Sequence, residues 1–484
     1  MGRRDDEDPG LPVKLNPCSN GEFLPEPMPP VLRESVRRAR DLSERAARRT
    51  GMSRRDFLLS LCGSAVTLLA LDACTREAAR DRTVGGRYGI RPEATYDPEV
   101  AREDLGGEEF VMDVQGHLLE YDHNPAARDD DFWTRFPQRY CGEDDPRDCF
   151  SIDHFLSEMF LRSDTSMVVL SALPIAPERS PLSHEVMDET RRVAEVLCRD
   201  DRVLLHGQAL PNVGALGANL EAMEGVATRF RIAGWKTFTH FPDAFGHPGN
   251  GWWLDDPTGH RFIDRAVRIG TPIVCVHKGL SGGSAYASPR DVGQAARDHP
   301  EASFVVYHSG FEVGIAEGPY SASTSHLGVN RLIDSVRRAG IGLGGNVYAE
   351  LGSTWRYVMR YPDQAAHVLG KLLHYFGEDN VVWGTDCLFY GSPQDQIEAF
   401  RAFHITDEYQ QRYGYPKLTK RAKAKILGLN SARLYGVDPV TVPCGFTRRE
   451  LEEARKSLSG RNRTLGPRTP GEVMAFRKEH RGWP

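Results

Sequence analysis

The sequence lacks any Cys-x-x-Cys pair among its nine cysteines, which excludes a zinc ribbon or a thioredoxin-like redox motif. It also lacks a basic excess: 61 Lys and Arg stand against 67 Asp and Glu, so nucleic acid is not an expected partner. There is no acidic tail of the kind that keeps a chain solvated and disordered. No repeated long apolar runs occur, and the composition fits neither a collagen-like nor a coiled-coil chain, so those classes and multi-pass membrane proteins are excluded. Lysine is scarce. Ten occur and the other 51 basic residues are Arg, which reads as a coding bias, yet Lys236 and Lys278 stand out because both lie inside apolar, strand-like runs. What remains is a soluble globular chain of 484 residues, long enough to bury a large core. One large domain with appendages fits it best.

Residues 1–50 are polar, rich in Pro early and in Arg later, with no apolar run. Ser53-Arg54-Arg55-Asp56-Phe57-Leu58-Leu59 then opens an uncharged stretch that continues to Leu71. A twin arginine ahead of a short apolar run resembles a twin-arginine export signal. That resemblance implies recognition by the twin-arginine export machinery and a location in the bacterial periplasm or cell envelope. The expected division is a signal segment and linker over 1–80, a main domain over 108–440 and a C-terminal extension over 441–484. Met52 stands directly before the motif and offers an alternative start. Leu71-Asp72-Ala73-Cys74 resembles a lipoprotein cleavage box, and lipid attachment at Cys74 is the lesser alternative because Asp72 is an unusual occupant. Cys141 and Cys149 flank the acidic loop Gly142–Asp145 and are candidates for a disulfide after export.

From about residue 108 the chain alternates apolar runs with helix-like stretches. The runs are Phe110–Leu118, Ser166–Leu173, Val203–Leu210, Trp235–Phe241, Pro272–Gly279, Ser303–Gly310, Ile341–Leu351 and Val381–Cys387. Short runs rich in Val, Ile, Leu or aromatics suit parallel strands covered on both faces. Strand and helix in eightfold alternation predicts a (β/α)8 TIM barrel. An open doubly wound sheet is the runner-up, and it lacks the G-x-G-x-x-G that would follow its first strand.

Barrel active sites sit at the C-terminal ends of the strands. There the sequence places Asp113, Gln115 and His117 (run 1), His206 (run 3), Lys236 and His240 (run 4), His277 (run 5), His308 (run 6), Glu350 (run 7) and Asp386 (run 8). A lone strand histidine is usually a core residue, but several at one end of neighbouring strands, with an aspartate, are not explained by packing. Imidazoles and a carboxylate converging without thiolates suit one divalent metal ion, Zn2+ first and Mn2+ or Fe2+ as alternatives. A cation would also offset the cost of burying Asp386.

The order of these residues resembles the amidohydrolase superfamily, specifically the amidohydrolase-related group of hydrolases and nonoxidative decarboxylases. Its pattern is D-x-H-x-H on strand 1, His ending strands 5 and 6, and Asp ending strand 8. Trp383-Gly384-Thr385-Asp386 with Gly391-Ser392-Pro393, and the segment Ile426–Gly436, extend the likeness over roughly 108–440. The resemblance implies Gln115, His117, His277 and Asp386 as metal ligands, with Asp386 and His308 catalytic. Gln115 departs from the pattern: it stands where strand 1 carries its first histidine, and an amide oxygen is the weaker ligand. Lys236 matches the position of a carbamylated lysine that bridges two metals in binuclear members; substrate binding is the preferred expectation for it and for His240. The loop after run 4 holds Trp252 and Trp253, and Trp252 is expected either to wall a ring-bearing substrate or to pack within the loop. Lys278 is expected in a structural salt bridge.

Three functions follow. The first is an exported metal-dependent hydrolase, with metal-activated water attacking an amide, ester or lactone carbonyl of a small-molecule substrate. The second is a nonoxidative decarboxylase of an aromatic carboxylate on the same scaffold. The third is a non-catalytic barrel that binds a ligand. A homo-oligomer is left open.

Overall fold

The computed structural model describes residues 10–80, 82–121, 146–175, 180–198, 201–243, 248–280, 283–439, 450 and 464–479. Cys141, the acidic loop, Asp129–Asp131, Phe132 and Trp133, Phe245–His247 and most of Arg448–Leu458 lie outside the described residues. Cys149 is disulfide-bonded.

A short strand β1 (Gly86–Tyr88) precedes eight parallel strands: β2 (Met112–Gly116), β3 (Met167–Leu170), β4 (Val203–Gln208), β5 (Ile232–Phe238), β6 (Ile273–His277), β7 (Ser303–Tyr307), β8 (Val347–Glu350) and β9 (Val381–Val382). The eight pair in chain order as one sheet. Closure runs through backbone bonds between β9 and its following turn and β2: Val114 N–H to Trp383 O at 3.0 Å, His117 N–H to Cys387 O at 2.6 Å and Asp386 N–H to Gln115 O at 3.0 Å. Strands β2, β3 and β6 are buried at every residue, because interior side chains fill one face and the outer helices cover the other. This is the expected (β/α)8 barrel. β5 begins at Ile232 rather than at Trp235, and β8 is confined to Val347–Glu350.

The residues before the barrel fold with it. Helix α1 (Pro30–Thr50) begins with Pro in its first turn, where the missing N–H has no intrahelical partner to lose, and ends at Gly51 with φ +68°. Its buried positions Leu32, Ser35, Ala39, Ser43 and Ala47 recur every three or four residues and are small after Leu32, so α1 packs closely on α3 (Leu61–Ala79). Between them α2 (Arg54–Leu58) is capped by the Ser53 hydroxyl, which accepts from Asp56 N–H at 3.0 Å. Phe57, Leu68 and Leu71, within the uncharged run expected as an export segment, are buried in the main hydrophobic core. Asp72 accepts from Arg87 at 2.7 and 3.0 Å and from Tyr88 N–H, tying α3 to β1, which pairs antiparallel with β10 (Phe403–Ile405). Cys74 is a buried free thiol. Among the described residues no helix is long and apolar enough to cross a membrane.

Residues 10–26 form an extended strap across the C-terminal end of the barrel. Lys14 Nζ meets Asp395 at 3.1 Å and the Ser392 carbonyl at 2.6 Å, all in the interior. Asn16 donates to Thr464 Oγ1 at 3.0 Å, Ser19 N–H donates to Pro467 O at 2.9 Å, and Tyr357 donates its hydroxyl to Glu26. The C-terminal residues 464–468 thus clamp the strap from outside. A Cβ on Gly466 would fall 1.9 Å from Ser19 O, so this crossing requires glycine.

Candidate active site

The site is built from side chains at the C-terminal ends of the barrel strands. Asp113 on β2 accepts from Gln115 N–H at 2.9 Å and Thr385 N–H at 3.1 Å, and also receives the Thr385 hydroxyl. It therefore fixes the segments carrying Gln115 and Asp386 at the barrel seam. Burial raises its carboxyl to about 7. His117 Nδ1 lies 2.6 Å from Ser171 O; a carbonyl only accepts, so Nδ1 carries the hydrogen and Nε2 faces Asp386 Oδ1 at 3.2 Å. Such a backbone tether is how proteins orient a ligating imidazole.

Three more histidines converge. His240, in the turn after β5, has its ring 4.7 Å from that of His277, which is 4.7 Å from that of His308. Phe238 stacks on His277 at 5.5 Å. Burial, aided by the neighbouring cations and imidazoles, lowers His240 and His308 to about 3 and His277 well below its usual value. All three are neutral at pH 7. Burial pushes the Asp386 carboxyl upward, but its contacts with His117, His308 and Ser353 outweigh it, holding Asp386 well below the usual carboxylate range. Asp386 receives Ser353 Oγ at 2.5 Å, Asn20 Nδ2 at 2.7 Å and Gln115 Nε2 at 3.0 Å.

Backbone strain concentrates at this rim. His308, Ser309 and Asp386 all have φ between +51° and +62°, a region that costs a non-glycine residue about 1 kcal/mol or more. Glu350 holds the first of these turns in place. It accepts from His308 N–H at 2.8 Å and Gly352 N–H at 2.6 Å, while its own carbonyl receives Ser309 Oγ at 2.7 Å. Burial raises the Glu350 carboxyl to about 8. Room for it comes from Gly384, where a Cβ would lie 1.8 Å from Glu350 Oε1.

His117, His277, His308 and Asp386 thus come to one mouth as expected, and His240 joins His277 there. Gln115 is present but turned: its Nε2 lies 3.4 Å from His117 Nε2, 3.5 Å from His308 Nε2 and 3.0 Å from Asp386 Oδ1. In this orientation the amide is a donor to the ligand set rather than a member of it. Lys236 is fully buried with its Nζ 3.5 Å from the Tyr307 ring centroid, and no hydrogen-bond partner among the described residues. Burial lowers it to about 8. Trp252 packs edge-to-face on Phe262 in the hydrophobic core, the loop-packing arrangement rather than an aromatic wall. Lys278 pairs with Asp291 at 2.8 Å as a structural bridge.

Sequence reasoning missed Glu22 and Asn20, which the strap lowers onto the same cluster. Glu22 Oε1 is 3.4 Å from His277 Nε2, and Asn20 donates to Glu22 Oε2 at 2.6 Å. Potential ligand atoms of Glu22, His240 and His277 lie within 4.8 Å of one another, and so do those of Glu22, His308 and Asp386. Neutral imidazoles beside an ionised carboxylate are a donor set that fits a divalent cation.

A family model described as amidohydrolase matches residues 188–437. The chain belongs to the amidohydrolase family. The match runs from the helix before β4 through the histidine-bearing strands to the segment after the strand-8 aspartate. Similar solved structures include an uncharacterized TIM-barrel protein from Bordetella bronchiseptica, at 14% identity and TM-score 0.42 over 67% of this chain and 98% of that one. A 2,6-dihydroxybenzoate decarboxylase bound to 2,6-dihydroxybenzoate matches at 15% identity and TM-score 0.40 over 68% of this chain and 100% of that one. A 4-oxalomesaconate hydratase from Rhodopseudomonas palustris matches at 16% identity and TM-score 0.40 over 68% and 96%. A search of curated proteins found no match.

Proposed function

We propose that this amidohydrolase is a metal-dependent hydrolase of a carbonyl compound: an amide, ester or lactone of a small organic molecule. The observation that carries the reading is the convergence of the His240, His277 and His308 imidazoles with the Asp386 carboxylate at the barrel mouth. His277, His240, His308 and Asp386 are the residues that would hold the ion, zinc before manganese or iron, with His117 backing Asp386 from its tether on Ser171. When bound, such an ion supplies an acidified water and polarises a carbonyl. Asp386 is the base for the proton released as water adds to the carbonyl carbon, and His308 steadies the developing oxyanion. Gln115, with its N–H groups directed into the cluster, is a further donor to negative charge there. Lys236 is the cation for an anionic substrate group, because its ammonium has no competing acceptor among the described residues.

That same ammonium favours a second reading, the decarboxylation of an aromatic carboxylate held by Lys236. Parallel assays on lactone, ester and amide panels and on carboxylated phenols separate the two. Turnover in the first group that Asp386→Asn lowers at least about a hundredfold supports hydrolysis. CO2 release from carboxylated phenols, with no turnover in the first group, overturns it.

Export by the twin-arginine route, to the periplasm or cell envelope, is proposed on Ser53–Leu59. Because Phe57–Leu71 are packed in the core, the form of export that suits this fold retains the segment. The N-terminal mass of protein recovered from the envelope fraction of its native cells tests this: an end before residue 53 supports it, and an end at Cys74 or beyond overturns it.

A further inference from the structure

We propose that Glu22, carried by the strap that precedes the barrel, is a ligand of the metal centre, so that metal binding and docking of the strap are one coupled event. This rests on the metal reading above.

Among the described residues, the two metal-capable groups at the mouth, one with His240 and His277 and the other with His308 and Asp386, share Glu22. The strap places that carboxyl with care. Asn20 turns back on it, donating Nδ2 to Glu22 Oε2 at 2.6 Å and accepting Glu22 N–H on Oδ1 at 3.1 Å, and the same Nδ2 reaches Asp386 Oδ2 at 2.7 Å. The backbone on either side is fixed by Lys14 on Asp395 and by Glu26 on Tyr357. Without a cation the arrangement is unfavourable: the Glu22 and Asp386 carboxyl groups converge inside the mouth and repel one another, with the Asn20 Nδ2 donating to both. A divalent ion among these groups offsets that repulsion and gives Glu22 the role of the strand-1 ligand, since the amide of Gln115 offers N–H groups to the cluster instead of a charged oxygen. The centre is therefore completed by a segment outside the barrel, about ninety residues before β2. With Asp386, His277 and His308 each no more than 2% exposed beneath it, the strap is also their cover.

The test uses the full-length chain stripped with a chelator and titrated with ZnCl2 or MnCl2 alone, comparing wild type with Glu22→Gln and Glu22→Asp. Metal affinity is read by competition with a chromophoric chelator, and strap docking by protease cleavage within residues 10–28. The expected result is a loss of affinity in Glu22→Gln of at least the 10- to 100-fold typical of a removed metal-site group, partly restored in Glu22→Asp. The wild-type strap should become cleavable on stripping and protected again on adding metal, while Glu22→Gln stays cleavable. A melting curve of the stripped Glu22→Gln protein matching that of stripped wild type shows that the fold is intact. Equal affinity in wild type and Glu22→Gln, with strap protection indifferent to metal, overturns this inference and leaves the metal reading standing. No binding even by wild type overturns both.

Discussion

Replacing Lys14 with Met should free the strap without unfolding the barrel. Lys14 and Asp395 form a buried ion pair with side chains 2% and 1% exposed, and the ammonium also donates to the Ser392 carbonyl. Removing the cation leaves the buried Asp395 carboxylate with the Lys14 backbone N–H at 2.9 Å and without its charge partner. Breaking a buried pair from one side typically costs about 3–5 kcal/mol. Here the chain has an escape, because the strap can lift and let water reach Asp395 while the barrel keeps its core. The loss should therefore appear as local opening. At about 1.4 kcal/mol per factor of ten, opening of the strap should rise by roughly two orders of magnitude or more. Hydrogen exchange at residues 12–24 reads this directly, and the exchange of β6 and β7 is the internal control. The double variant Lys14→Met/Asp395→Leu should regain most of the protection, since it buries no unpaired charge. Unchanged exchange in Lys14→Met, or a loss of protection spread evenly over strap and barrel, would refute the reasoning.

Further outcomes follow from the same geometry. Lys236→Met should leave the melting temperature equal or higher, because a buried ammonium over Tyr307 without a hydrogen bond is expensive, while raising KM for anionic substrates more than it lowers kcat. Gly384→Ala should abolish turnover and lower stability by about 1–3 kcal/mol in chemical denaturation, since its methyl would displace the Glu350 carboxylate beneath His308. Burial raises the Glu398 carboxyl from 4.5 to about 7 in the folded chain. Its contribution to stability is therefore fully present below about pH 4.5 and lost as pH rises through about 7, and the melting temperature of wild type should fall relative to that of Glu398→Gln across that window.

The barrel was legible because a strand covered on both faces must be largely apolar, and β3, β6 and β7 announce themselves that way. Where the reading slipped, local chemistry misled it. Ile232 sits directly after Arg231, which disguised the start of β5, and Gly342, Gly344 and Gly345 turn the chain before β8 begins at Val347. His277, His308 and Asp386 were legible from their places at strand ends. Glu350 was visible in its run, but its role depends on the left-handed backbone of His308, which no residue pattern signals. Helix α1 escaped notice because it buries Ser35, Ala39, Ser43 and Ala47, small residues that register weakly as apolar yet permit close helix packing. Glu22 had no local signal at all. Its position is set by tertiary contacts of Lys14 and Glu26 with partners more than 300 residues away in sequence.

The central claim is that the imidazoles and Asp386 at the barrel mouth hold a divalent ion. Elemental mass spectrometry of the full-length protein, with His277→Ala beside it, tests that claim most directly. About one ion per chain in wild type, lost in the variant, is the predicted result for a site of this donor set. Absence of stoichiometric metal in wild type after reconstitution with zinc, manganese and iron, or equal content in His277→Ala, would contradict it.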